Sequence, residues 1–191
     1  MEQGLPTRGE VILSGLGGGG VLTSGILLAE AAVTKYENVT WFPSYAIAKR
    51  GGFCECTVVF SNAEISSPLL SQAKVVVVAD PAQFKDYEDR VHLGGTMIVE
   101  KAGLQARTKR KDIRVIEVPA IEATIGISGS SQGANLVLLG AAIEVTQIIP
   151  PELIKQQIEK SFAGKEKIQT SNLRAFEEGC NLIKKNYTDQ A

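Results

Sequence analysis

The run Lys74-Val-Val-Val-Val-Ala-Asp80 restricts the fold more than any other segment. Four consecutive β-branched residues are stiff at χ1 and favour a strand. With no polar residue at alternate positions, both faces of that strand must be covered, as in the middle of a layered sheet. Strand-like and helix-like segments alternate around it. Glu10–Ser14, Asn38–Phe42, Phe53–Phe60, the stretch from Thr96 (TMIVEK) and Ile113–Ala120 read as strands. Pro43 is expected to stop the second. In the third, Cys54, Cys56, Val58 and Phe60 share an apolar face, while Glu55 and Thr57 share one expected to be partly wet. Val21 to Tyr36 carries apolar residues at helical spacing. Pro81 suits the first turn of a helix through Val91, and Leu93–Gly95 reads as a turn. KAGLQARTKRKD is expected to be a solvated loop, and Gly126–Asn135 a Gly/Ser loop. Three helices follow: NLVLLGAAIEVTQII with Asn135 as its N-cap, PPELIKQQIEKSF from Pro150, and SNLRAFEEGCNLIKKNY from Ser171. The alternation predicts the α/β class: a three-layer α/β/α, Rossmann-like fold with a mostly parallel, mixed sheet and a single domain over residues 1–191.

Between the first strand and the first helix stands Gly15-Leu16-Gly17-Gly18-Gly19-Gly20. In α/β folds, ligands meet the crevice beyond the carboxyl ends of strands, which is where this loop falls. Glycines permit a tight turn and let backbone amides approach a phosphate at a helix N-terminus. The spacing satisfies G-x-G-x-x-G, yet a dinucleotide site also needs an acidic residue at the end of the second strand. Trp41-Phe42-Pro43-Ser44 holds none, and Glu37 precedes the strand. No Gly-Lys-Ser/Thr closes the loop, which excludes a P-loop. A tight turn that only lets the helix pack on the sheet remains open beside ligand binding.

Composition narrows the classes further. Twenty basic and 21 acidic residues leave a net charge of −1, so no charge excess points to nucleic acid or a membrane surface. The apolar runs stop well short of the roughly 20 residues that span a bilayer. The polar start MEQGLPTRGE has no signal-peptide core. A cytoplasmic protein is expected. Cys54, Cys56, Cys180 and the single His92 fall short of a zinc or cysteine-ligated cluster set. The cysteines read as small buried hydrophobes. No acidic cluster suggests a magnesium-bound diphosphate, and no nucleophile–base pair suggests a self-contained active site.

A second glycine segment decides between these readings. Ser44-Tyr45-Ala-Ile-Ala-Lys-Arg50-Gly51-Gly52 precedes the Phe53 strand, and SNAEISSP follows it. With the first loop, VVVVAD, LGGTMIVE, Asn135 heading NLVLLGAA, and NLRAFEEG, this pattern resembles the gamma subunit, or gamma domain, of the 2-oxoacid:ferredoxin (acceptor) oxidoreductases along nearly the whole chain. Gly19 stands where that family has glutamine; Ala46 and Ala48 stand where it has glycine and glutamate. The resemblance implies a complex that converts a 2-oxoacid and coenzyme A to an acyl-CoA, carbon dioxide and reduced ferredoxin, reversibly. It implies thiamine diphosphate, magnesium and iron–sulfur clusters on alpha, beta and delta partner subunits, with none bound by this chain alone. Ferredoxin is then met indirectly, and the isolated chain, inactive by itself, is open to forming a homodimer. The candidate edge is Gly15, Gly17, Gly18 and Gly20 with Ser44, Tyr45, Arg50, Gly51 and Gly52. Loop amides there would hold a coenzyme A phosphate, and Arg50 would pair with a carboxylate or phosphate. The alternatives are contact with a partner subunit only, a pure scaffold, and a stand-alone nucleotide-binding domain. Arg107, Lys109, Arg110, Lys111 and Arg114 form a basic patch, read as solvated or as a dock for an acidic partner.

Overall fold

The structure, a computed structural model, describes residues 5–45 and 52–187. Ala46, Ala48, Arg50 and Gly51 lie outside the described residues. Twelve elements follow in chain order: β1 (Arg8–Leu16), α1 (Val21–Ala32), β2 (Asn38–Tyr45), β3 (Phe53–Ser61), β4 (Ala73–Val78), α2 (Phe84–Glu88), β5 (Val91–Glu100), β6 (Arg114–Val118), α3 (Ala120–Ser128), α4 (Ala134–Thr146), α5 (Pro151–Ser161) and α6 (Glu166–Tyr187). One sheet runs β2-β3-β1-β4-β5-β6. β3 is antiparallel to both β1 and β2, and the remaining pairs are parallel. This is the mixed α/β architecture expected.

The valine run behaves as its composition demands. Val75 and Val77 face a core with Val11, Leu13, Ile98 and Ile116. Val76 and Val78 face the opposite core with Ile12, Met97, Val99 and Phe84. The two faces are covered unequally. α1 and α4 pack on one face of the sheet, and α3, α5 and α6 pack around them. Among the described residues, the other face carries only the 3-10 turn Pro81–Gln83, α2 and irregular chain around Leu70 and Leu104–Ile113. α4 is apolar nearly all round because it lies between the sheet and α6.

Several boundaries differ from the sequence expectation, each for a tertiary reason. β2 runs through Pro43 to Tyr45. As an edge strand it needs no ladder bond from every residue, so a missing N–H is tolerated there. The helix from Pro81 is a 3-10 turn plus the five-residue α2, and Val91 already belongs to β5. Leu93–Gly95 is a bulge inside β5: the register jumps from Ala73 opposite Val91 to Val75 opposite Thr96. Residues 120–128 form a helix that overlaps the expected strand end at Ala120 and the start of the expected Gly/Ser loop at Gly126. It is held by the buried Glu100 carboxylate, which accepts from Ile121 N at 3.0 Å and Ala102 N at 2.7 Å. The last helix begins at Glu166, ahead of Ser171.

The face of β3 expected to be wet is largely closed. Thr57 is buried and donates to Pro68 O at 2.7 Å. The basic connector is tied down as well. Arg110 forks onto Asp112 and donates to Glu88 O at 2.8 Å and Val91 O at 2.9 Å. Arg107 pairs with Glu117 at 3.5 Å.

Candidate functional site

β1 ends at Leu16 and α1 begins at Val21, so the chain must reverse within four glycines. Gly18 (φ +94°) and Gly20 (φ +80°) are left-handed, a conformation that costs other residues roughly 1–2 kcal/mol. Gly20 also abuts Asn135, and a Cβ there would stand 2.7 Å from the Asn135 side chain. Gly15 is buried; a Cβ would stand 2.8 Å from Val21 Cγ2. The glycines therefore serve both a turn and close packing. Gly17 N donates to Gly52 O at 2.9 Å, which joins the first loop to the start of β3.

A second helix start faces the same space. α4 is capped by Gly133 (φ +104°), left-handed like Gly20. Neither helix has a side-chain cap or an acidic residue in its first turn. The loop, Thr23, Ser131, Gln132, Asn135 and Asn172 line an open pocket of about 290 Å³ with no charged lining residue among the described residues. Both positive helix ends are thus available to an anion.

Asn135 is not the N-cap expected of it, since that position belongs to Gly133. Its Nδ2 donates to Gly20 O at 3.0 Å and to Ser24 Oγ at 2.9 Å, and Ser24 Oγ donates to Asn135 O at 3.2 Å. The residue latches α4 to the glycine loop. Of the other candidate residues, Ser44 is exposed on the edge strand opposite Glu55, and Tyr45 closes β2 opposite Cys54. Gly15, Gly17, Gly18, Gly20 and Gly52 are brought together; Arg50 and Gly51 fall outside the described residues.

Beneath the edge, on the thin face, Glu55 accepts from Tyr87 Oη at 2.6 Å and from Arg90 Nη1. Arg90 also donates to Leu70 O at 2.8 Å and Ser71 O at 3.3 Å. Burial and the Glu55 carboxylate push the Tyr87 phenol well above its ordinary range. Neither this cluster nor Gln83, Ser24 and the Ser131–Gly133 turn was legible in any local motif. Their partners are far away in sequence.

Cys54, Cys56 and Cys180 are buried, as expected of small hydrophobes. Burial pushes the Cys56 and Cys180 thiols up to about 12. A thiol held protonated is a poor nucleophile. Labelling of the native chain by an aromatic disulfide reagent at pH 8 is therefore expected to be at least about 100-fold slower than in denaturant. Equal rates would show that these sulfurs are accessible.

The fold and site together define a Rossmann-like domain with its glycine loop at the carboxyl edge of a mixed sheet. β3 lies between β1 and β2, so the end of β2 is not the neighbouring strand end from which a dinucleotide fold reaches the ribose. The chain belongs to the pyruvate ferredoxin/flavodoxin oxidoreductase family, which residues 10–182 match. It is 33% identical over 178 residues to the ketoisovalerate oxidoreductase subunit VorA of Methanothermobacter thermautotrophicus, covering 92% of this chain and 36% of VorA. The chain thus spans about a third of that relative. It is 29% identical to the 2-oxoglutarate synthase subunit KorC of the same organism, covering 94% of this chain and 97% of KorC. The gamma subunit of a keto/oxoacid ferredoxin oxidoreductase from Geobacter sulfurreducens shares the fold, with a TM-score of 0.77 at 22% identity over 92% of this chain and 96% of that one. So does the 2-oxoglutarate:ferredoxin oxidoreductase of Magnetococcus marinus, solved with 2-oxoglutarate, coenzyme A and succinyl-CoA bound. Its TM-score is 0.82 at 21% identity over 94% of this chain and 32% of that one. No helix among the described residues is long and apolar enough to cross a membrane.

Proposed function

We propose that this chain is the gamma subunit of a multi-subunit 2-oxoacid:ferredoxin oxidoreductase and that its glycine edge receives part of coenzyme A. The observation that carries this reading is the convergence of two glycine-capped helix starts on one pocket. A phosphate there would accept from backbone amides, with no carboxylate among the described lining residues to repel it. Arg50, next in the chain to Gly51 and Gly52, would supply the cation. Thiamine diphosphate, magnesium and iron–sulfur clusters reside on the alpha, beta and delta partners, where the carbon chemistry and electron transfer take place. Ferredoxin meets those partners, and this chain alone has no turnover. Family membership and relatives named for ketoisovalerate and 2-oxoglutarate support a 2-oxoacid as the substrate.

Thr23 tests the reading because it is exposed, lines the pocket and sits in the first turn of α1. Thr23→Glu places a carboxylate where an anion is proposed to bind, yet it complements the helix dipole, so the fold is spared. In the assembled complex the KM for coenzyme A is expected to rise at least about 10-fold, with the KM for the oxoacid unchanged. A smaller assembled fraction on gel filtration, with the KM of the complex that does form unchanged, would assign the edge to a subunit contact instead.

A further inference from the structure

The carbonyls at the two ends of the glycine loop are each held by a side-chain amide, and the two amides come from opposite layers. At the far end, Asn135 of α4 donates to Gly20 O at 3.0 Å. At the near end, Gln83 donates from its Nε2 to Gly15 O at 3.1 Å. Gln83 belongs to the 3-10 turn on the thin face and follows β4. Just past β4, Ala79 N donates to Ser14 O at 2.8 Å. Farther along the chain, the Gln83 amide reaches the next carbonyl of β1, that of Gly15.

We propose that Gln83 is a positioning residue for the glycine loop: by holding the Gly15 carbonyl from the thin layer, it fixes the point at which β1 passes into the loop. Three observations support this. Gln83 is 1% exposed, and among the described residues its Oε1 has no donor. A buried amide with one unmatched oxygen is costly, and an apolar side chain of equal volume would serve the core better. Its amide does not serve its own helix either, because Gln83 starts α2 without a side-chain cap bond. Among the described residues, the one hydrogen-bond partner of its side chain is the loop. Gly15 also pairs with Cys54 in the β1–β3 ladder, and the Gln83 amide adds a second tie to that peptide from the thin layer.

Gln83→Met keeps the volume and removes the donor. Amide exchange of the full-length chain is expected to quicken about 10-fold at Gly17–Val21, with β4, β5 and α4 unchanged. Gln83→Leu also removes the donor and is expected to match that effect. The kinetic arm rests on the coenzyme A reading: in the assembled complex Gln83→Met is expected to raise the KM for coenzyme A about 5-fold while kcat is kept. Faster loop exchange with an unchanged KM upholds Gln83 and sinks the coenzyme A reading. Unchanged loop exchange, or faster exchange spread over every element, overturns the proposal.

Discussion

Gly140→Ala is expected to destabilise the chain by about 3 kcal/mol or more, although alanine is the better helix former. A Cβ at Gly140 would stand 2.1 Å from Phe176 O, and one at Gly179 would stand 2.0 Å from Val137 O. These two glycines mark where α4 and α6 cross backbone to backbone. The obstacle is a helix carbonyl rather than a side chain, so no rotamer change relieves it. The helices must separate, and α4 cannot retreat because the sheet lies behind it. Propensity returns only about 1 kcal/mol. At roughly 2–4 °C per kcal/mol for a chain of this size, Tm should drop by about 10 °C. A Tm within a few degrees of the parent would mean that the helices do not approach this closely.

Arg90→Ala is expected to cost about 2–3 kcal/mol, through one partly buried carboxylate and two carbonyls that lose their donor. The side chains of Arg90 and Glu55 are 26% and 20% exposed, so water recovers some of the loss and the cost falls short of a fully buried pair. The damage should be local. Leu70 O and Ser71 O are held by the guanidinium, and with them the segment that closes the far face of β3. Limited proteolysis should therefore cut near residues 68–72 before the sheet opens. Glu55→Gln combined with Arg90→Ala should be less destabilised than the sum of the singles, because the stranded charge is gone. Strict additivity in urea unfolding would show that the pair is not coupled.

How far these features were legible follows from their range. The valine run could be placed because its two faces carry the same chemistry, so any register buries it. The glycine loop could be placed because a strand, a turn and a helix succeed one another in adjacent residues. Pro43 misled because its tolerance depends on whether the strand is at an edge, which no neighbouring residue reveals. Residues 120–128 misled because the group that stabilises the helix start is Glu100, one strand away in the fold. Asn135 was rightly singled out and wrongly explained: its type suits a cap, but the cap position belongs to Gly133 and its amide reaches Gly20.

The sequence alone determined the alternation of strands and helices, the doubly buried β4 and the location of the glycine turn at a carboxyl strand end. These depend on side-chain periodicity and backbone freedom within a few residues. Only the tertiary structure decided what surrounds that turn. Asn135 lies 115 positions from Gly20, and Gln83 lies 68 from Gly15. Such pairs are selected by how whole layers pack, since a hydrogen bond between distant residues forms only after the core has brought their elements together.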